Sequence, residues 1–148
     1  MSEDLVVDAS SLVVGRLSSI VAKQLLQGKR VAIVNAEKAL MTGSRQRTIN
    51  DRLLFLEVKE RGGGSRHTPR HYRKPNNFLR RMIRGMLPRR KAKGIAALKR
   101  LRVYIGVPEQ YEGKTTSLEE AKFDATGRKC ITLGELCTAI GWQGARKS

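Results

Sequence analysis

The sequence is poor in aromatic residues and has no long apolar run. Aromatic residues make up 5% of the 148 residues, so recognition of bases chiefly by stacking on aromatic rings is not indicated. No apolar stretch approaches the ~20 residues that a membrane-spanning helix needs, which argues against a membrane protein. The chain begins MSEDLVVDAS, without a basic n-region or a cleavable apolar segment, so we expect a cytosolic protein.

Metal ligands and reactive thiols are also scarce. Cys130 and Cys137 are the only cysteines. In a cytosolic chain we expect both to be reduced, and with no second Cys/His pair they do not form a zinc site. Cys137 lies on an apolar stripe, which is typical of a core residue rather than a nucleophile. His67 and His71 have i, i+4 spacing, but Pro69 lies between them in a basic stretch without an acidic third ligand. No metal site is predicted.

The fingerprints of nucleotide sites are missing. Asp8 follows an apolar run at a position where α/β proteins often bind ligands, yet only Gly15 stands near that turn and there is no G-x-x-x-x-G-K-[ST] motif. Glu57 and Glu60 have the spacing of exposed partners for neighbouring cations rather than of an acid–base pair. We therefore expect no cofactor, small-molecule substrate or catalysis. A small nucleotide-dependent α/β enzyme remains as the alternative.

The most informative absence is that of acidic residues between Arg61 and Pro108. This segment holds 11 Arg and 4 Lys, and it accounts for +15 of the net charge of +17. Folding does not require such a concentration of positive charge, but it would attract and bind a polyphosphate partner. Guanidinium groups can also chelate phosphate through two hydrogen bonds. The charge distribution predicts binding to RNA or DNA.

The first third of the chain has a β-α-β pattern. A short apolar strand at Leu5–Ala9 precedes a helix with apolar residues at three- and four-residue steps from Val13 to Leu25, which Gly28 ends. A second apolar strand, Val31–Val34, has the character of a buried parallel strand. Residues 35–43 can hold one helical turn and a short strand at 39–42. A further helix, capped by Thr42 or Ser44, is predicted to run to about residue 59, with Ile49, Leu53 and Leu56 on one side.

The basic segment combines a loop with two helices. Residues 62–76 contain three Gly, two Pro and no periodicity, which predicts an extended loop. From Phe78 to Leu87 the apolar residues fall on one side of a helix, with Arg80, Arg81 and Arg84 on the other. Pro88 ends this helix. A second short helix over 92–101, with Ile95, Leu98 and Leu101 on one side, leads into a strand that ends before Gly106.

The tail is polar and charge-balanced up to Lys129. Thr132 and Glu135 then have the spacing of a capping box. Apolar residues from Leu133 to Ile140 follow at helical spacing, and Gly141 closes this short helix. We expect Trp142 to pack beside it.

Several separated motifs resemble the universal large-subunit ribosomal protein L-thirteen family. The motifs are Val7-Asp8-Ala9, Gly15-Arg16-Leu17, Val34-Asn35-Ala36-Glu37-Lys38, Thr42-Gly43, Gly85-Met86-Leu87-Pro88 and Leu101-Arg102-Val103-Tyr104-Ile105-Gly106. The similarity extends from Leu5 to Tyr111, and the closing ITLGELCTAIGW resembles the tail of archaeal members. The His-rich segment of bacterial members and the long C-terminal extension of eukaryotic cytoplasmic members are missing, which favours an archaeal-type protein.

The resemblance implies a three-layer α/β/α fold around a small, mainly parallel four-stranded sheet. It also implies a structural protein that binds large-subunit ribosomal RNA, supports subunit assembly and lies beside other large-subunit proteins. A free RNA-binding regulator is the second alternative.

We expect a single domain over 1–148, with an RNA-facing segment at 61–108 and a tail at 109–148. The predicted RNA contacts are the basic and histidine side chains of that segment: Arg61, Arg66, His67, Arg70, His71, Arg73, Lys74, Arg80, Arg81, Arg84, Arg89, Arg90, Lys91, Lys93, Lys99 and Arg100.

Overall fold

The computed structural model describes residues 4–58, 69–124 and 126–144. Its centre is a parallel sheet of three strands in the order β1–β2–β4: β1 (Asp4–Asp8), β2 (Arg30–Val34) and β4 (Leu101–Val103). Helix α1 (Val14–Leu26) connects β1 to β2, which confirms the predicted β-α-β unit. The helix ends where predicted, because Gly28 adopts a φ of 97°, a conformation that favours glycine.

The two faces of the parallel sheet are buried to different extents. Val7, Ile33 and Leu101 are fully buried in the main core beneath the helices. The opposite face carries a smaller apolar cluster, formed by Val6, Ala32 and Val34 with Tyr104 and Tyr111 packed against it. In the described part of the chain, this second face is therefore covered by two tyrosines from the segment that follows β4. The three-layer fold that the family resemblance implies would instead place helices on this face.

The predicted four-stranded sheet is wrong, because the parallel sheet has three strands. On the side of β1 away from β2, the described residues form only an isolated parallel bridge between Val7 and Thr116, in which the Thr116 amide donates to the Val6 carbonyl across 2.7 Å. The predicted strand near 39–42 exists as β3 (Leu40–Thr42), but it pairs antiparallel with β5 (Cys130–Thr132) from the tail. A three-residue strand has too little pattern to reveal its partner in the sequence.

Helix α2 (Arg45–Glu57) forms as predicted, but its apolar side is only partly buried. Ile49 packs against the main core, yet no residue of the helix is fully buried. Leu53, Leu54 and Phe55 are 41%, 62% and 43% exposed. The Ser44 side chain makes no capping hydrogen bond. Apolar side chains in the second half of this helix therefore remain accessible.

Helix α3 (Pro75–Gly85) begins three residues earlier than predicted. Pro75 stands in the first turn, where its fixed φ suits a helix and its missing N–H costs nothing, so the predicted loop over 62–76 is too long at its C-terminal end. Phe78, Leu79 and Ile83 are buried, as the helical pattern predicts. The part of the predicted loop up to residue 68 lies outside the described residues.

Helix α4 (Ala92–Lys99) buries only part of the predicted side. Leu98 packs against the main core and Leu101 is fully buried, but Ile95 is 50% exposed. Gly94 and Ala97 are buried in its place. The reason is a close backbone approach: a Cβ added to Gly94 would lie 2.2 Å from the Pro88 carbonyl oxygen. A small residue allows this contact, and Ile95 turns outward.

The tail closes on the core through helix α5 (Leu133–Ala139). The Thr132 hydroxyl accepts a hydrogen bond from the Glu135 amide at 3.2 Å, which confirms the predicted N-terminal cap. Leu133, Leu136 and Cys137 are buried. Trp142 packs against the main core as predicted. Within the described ranges, no helix has the length and apolar character to cross a bilayer.

Candidate nucleic-acid interface

The predicted RNA contacts separate into groups with different surroundings. Arg61, Arg66 and His67 lie outside the described residues. Of the others, some project from the surface and some donate hydrogen bonds to backbone carbonyls of neighbouring helices. This division could not be made from charge alone.

Three arginines of the basic segment bind carbonyl oxygens at the ends of helices. Arg100 Nη2 donates to the Leu25 carbonyl in the last turn of α1 at 2.8 Å. Arg73 Nη1 donates to the carbonyl of Ile140, the residue that follows α5. Carbonyl groups at helix C-termini lack intrahelical partners and carry partial negative charge, so cations stabilise them.

Arg80 makes a weaker contact of the same kind. Its Nη2 and Nη1 lie 3.5 Å and 3.4 Å from the carbonyl oxygens of Leu98 and Leu101, where α4 passes into β4. The helical pattern of the sequence predicts Arg80 on the outward side of α3, together with Arg81 and Arg84. The structure leaves Arg81 exposed and Arg84 half-buried, while Arg80 is turned towards the C-terminal end of α4.

The turn between α3 and α4 presents a dense group of free cations. All of the following are exposed: Arg89, Arg90, Lys91 and Lys93. The Lys91 amide donates to the Pro88 carbonyl at 3.1 Å, and Gly94 packs against that same carbonyl. These contacts define the backbone conformation of the turn from which the four side chains project. Lys74 before α3 and Lys99 at the end of α4 are also exposed.

The cations of this surface lack carboxylate neighbours. Among the described residues the ion pairs are Arg16–Asp124, Arg47–Asp51 and Lys122–Glu119. None of these pairs includes a residue between 69 and 103. The described part of the basic segment therefore presents charge that internal acids do not neutralise, as a surface for a polyanion requires.

Two basic residues on the second face of the sheet are not among the predicted contacts. Arg30 and Arg102 lie with Lys99 around a shallow cavity that Tyr104 and Tyr111 also line. Arg102 stands opposite Ala32 in the register of β2 and β4. Strand alternation could have revealed that Arg102 lies on the face away from the main core, because Leu101 and Val103 are the apolar residues beside it.

Asp8 has a structural role. Its Oδ1 accepts hydrogen bonds from the Ser10 amide at 2.9 Å, the Ser10 hydroxyl at 2.7 Å and Asn35 Nδ2 at 3.1 Å. Burial opposes ionisation, but these hydrogen bonds outweigh it, so the pKa of Asp8 lies below its usual value. The carboxylate thus ties the turn after β1 to Asn35, whose φ is 54°.

The other candidates for chemistry have ordinary surroundings. Burial raises the pKa of Cys137 to about 12, so its thiolate is scarce at neutral pH. Cys130 is exposed, and both cysteines are free.

The histidine and glutamate candidates also have ordinary surroundings. His71 Nε2 lies 3.1 Å from the Val58 carbonyl. The described ranges hold no group of three or more metal-ligating side chains, and Glu57 is exposed without an ion pair among those residues.

Comparison with known proteins identifies the family. The sequence matches the family model for "Ribosomal protein L13" over residues 2–110. The chain belongs to the ribosomal protein L13 family. It is accordingly a structural ribosomal protein and not an enzyme, which excludes the nucleotide-dependent alternative.

The relatives of this L13-family chain include archaeal proteins of similar length. The protein of Aeropyrum pernix is 39% identical over 145 residues, 97% of this chain and 93% of the relative. The protein of Sulfurisphaera tokodaii is 40% identical, and the match covers 95% of this chain and 97% of the relative. The protein of Methanosarcina barkeri is 42% identical, and the match covers 92% of this chain and 96% of the relative. Each is named large ribosomal subunit protein uL13, which agrees with the archaeal-type resemblance.

Proposed function

We propose that this protein is a structural component of the large ribosomal subunit, that it binds large-subunit ribosomal RNA and that it supports subunit assembly. The observation that carries the proposal is the unneutralised basic surface formed by α3, α4 and the turn between them. The names of its relatives support the same role. Its place would be the cytoplasmic large subunit, beside other large-subunit proteins.

The proposed RNA contacts are the side chains that project freely from this surface. They are Arg70, Lys74, Arg81, Arg84, Arg89, Arg90, Lys91, Lys93 and Lys99. In this proposal Arg73, Arg80 and Arg100 mainly bind carbonyl groups at the ends of helices. These hydrogen bonds maintain the position of the helices that form the contact surface. A guanidinium has five donors, so an arginine with one carbonyl partner still has N–H groups that can reach a phosphate.

The chemistry of these side chains suits the RNA backbone more than base edges. The major groove of A-form RNA is too deep and narrow for side chains to read, and its phosphates and 2′-hydroxyls are accessible. Closely spaced cations on a rigid turn match closely spaced phosphates. Specificity would then come chiefly from the shape of the RNA, because phosphate contacts carry little sequence information.

Sedimentation of a tagged protein tests the proposal. A structural component co-migrates with large subunits in stoichiometric amount, whereas a free RNA-binding regulator stays in the light fractions. A variant with Arg81, Arg84 and Arg89 changed to Glu should lose incorporation. The matched control changes Lys29, Lys114 and Arg128 to Glu, which alters charge equally at exposed positions outside the surface. Normal incorporation of the first variant would contradict the proposal.

A further inference from the structure

A cavity of about 210 Å³ opens between α2 and α3, next to the basic surface. The side chains that matter for its chemistry are Arg52, Phe55, His71, Tyr72, Phe78 and Arg81. A cavity of about 150 Å³ is sufficient to hold a benzene ring. The space is therefore large enough for a planar aromatic ring system larger than benzene.

Aromatic rings form much of the wall. The rings of Phe55 and His71 meet edge to face, with centroids 4.9 Å apart and an interplanar angle of 85°. Phe78 is buried, and the Arg52 guanidinium lies 4.5 Å above the centre of its ring. Three of the seven Phe, Trp and Tyr residues of the chain line this one cavity, together with His71. Such rings and guanidinium planes are the surfaces on which unstacked bases pack in RNA complexes.

One enclosed polar atom at the cavity lacks a partner within the described ranges. His71 Nδ1 is buried and makes no hydrogen bond there. Enclosed polar groups normally have a hydrogen-bond partner. Arg52 is half-buried beside it and belongs to none of the ion pairs of the described residues. A ligand that combines a flat apolar body with hydrogen-bonding edges would supply the partner that His71 Nδ1 lacks.

The part of α2 that forms the cavity wall contributes little to the core. Ile49 packs against the main core, but no residue of α2 is fully buried and Phe55 remains 43% exposed. Arg81 lines the cavity and also belongs to the proposed RNA-contact surface. The cavity is thus continuous with that surface, and Arg70 and Arg81 stand exposed along it, where phosphates of a bound strand would pass.

We propose that this cavity binds one unstacked nucleobase of the ribosomal RNA, which packs against Phe55 while Arg70 and Arg81 contact the adjoining phosphates. The inference rests on the proposed function and adds a second mode of contact to it. The positive charge around the cavity favours a nucleotide over an apolar side chain of a protein. A stacked base also explains why a large aromatic residue stands half-exposed on a helix without a fully buried residue.

Binding of the full-length protein to a transcript of the large-subunit ribosomal RNA, measured across a salt titration, tests this inference. Phe55→Ala should weaken binding about tenfold at every salt concentration, within the range found for loss of a stacked base. The slope of log K against log salt should stay unchanged, because stacking releases no counterions. Phe55→Trp should retain binding. Leu54→Ala is the matched control, since Leu54 is more exposed than Phe55 and does not line the cavity.

The outcomes separate this inference from the function on which it rests. If Phe55→Ala binds as tightly as Leu54→Ala while the wild-type slope is steep, the nucleobase site is wrong and the phosphate surface stands. If Phe55→Leu binds like wild type, apolar packing suffices and a stacked base is excluded. If the wild-type protein does not bind the transcript, the proposed function itself fails. Ultraviolet cross-linking of the wild-type complex should place RNA on the peptide that contains Phe55 or Tyr72.

Discussion

The guanidinium of Arg100 donates a hydrogen bond to the Leu25 carbonyl oxygen, across 2.8 Å. This contact joins the residue after α4 to the last turn of α1. A residue from the most basic part of the chain thus stabilises the fold, although its sequence context indicates only a contact with nucleic acid. Its neighbour Lys99 is exposed and free for such a contact.

Arg100 and Lys99 should therefore respond differently to the same substitution. Arg100→Ala removes a charged hydrogen bond to a helix end and should lower the free energy of unfolding by about 1.5–3 kcal/mol. Lys99→Ala should leave stability within about 0.5 kcal/mol and weaken RNA binding instead. Urea unfolding and RNA-binding measurements on both variants check this. Equal stability of the two variants would contradict the structural role of Arg100.

The contact between Gly94 and Pro88 should tolerate no side chain. A Cβ at position 94 would lie 2.2 Å from the Pro88 carbonyl oxygen, so Gly94→Ala should destabilise the protein by about 1–3 kcal/mol, as overpacking does. It should also displace the turn that carries Arg89 and Arg90, and so weaken RNA binding. Gly85→Ala is the control, because nothing lies within 4 Å of its added Cβ. Thermal unfolding of the two variants measures the difference.

Hydrophobic periodicity predicted the elements of the chain better than their partners. The pattern from Val13 to Leu25 predicted α1, and the capping box at Thr132 predicted α5, because both signals are local. The pairing of β3 with β5 could not be predicted, since three-residue strands specify neither register nor partner. The burial of Gly94 in α4 could not be predicted either, because it results from a close backbone approach and not from hydrophobicity.

For the candidate surface, too, local patterns in the sequence predicted more than contacts between distant residues. Charge counting located the basic segment, and the helical pattern correctly placed Arg81 on an exposed side of α3. It could not show that Arg73 and Arg100 would meet helix ends, because Ile140 and Leu25 are distant in the sequence. A carbonyl at a helix end has no signature in the side-chain pattern.

Asp8 should make stability depend on pH. Its folded pKa lies below the unfolded value of about 3.9, so its contribution is fully present above that value. The contribution is lost as the pH falls below about 4 and through the folded pKa. Asp8→Asn should thus be less stable than wild type at pH 7, and the difference should shrink on acidification. Urea unfolding of both proteins between pH 7 and pH 3 tests this; a gap independent of pH would contradict it.

The two cysteines should differ in reactivity. Because burial raises the pKa of Cys137 to about 12 and also blocks access, iodoacetamide at pH 7.5 should modify Cys130 alone in the native protein. Both residues should react in denaturant. Mass spectrometry of the alkylated protein distinguishes the two sites, and rapid native modification of Cys137 would show that α5 opens readily from the core.

The salt dependence of ribosomal RNA binding tests the central claim most directly. We expect a steep fall of log K with log salt for the wild-type protein. Changing Arg81, Arg84, Arg89 and Arg90 to Gln should reduce the slope by about 0.7–0.9 for each phosphate contact removed. The matched control changes Lys29, Lys114, Arg128 and Lys129 to Gln, which removes equal charge from exposed positions elsewhere. A flattened slope in the first variant alone would support the α3–α4 surface, and equal slopes in both variants would contradict it.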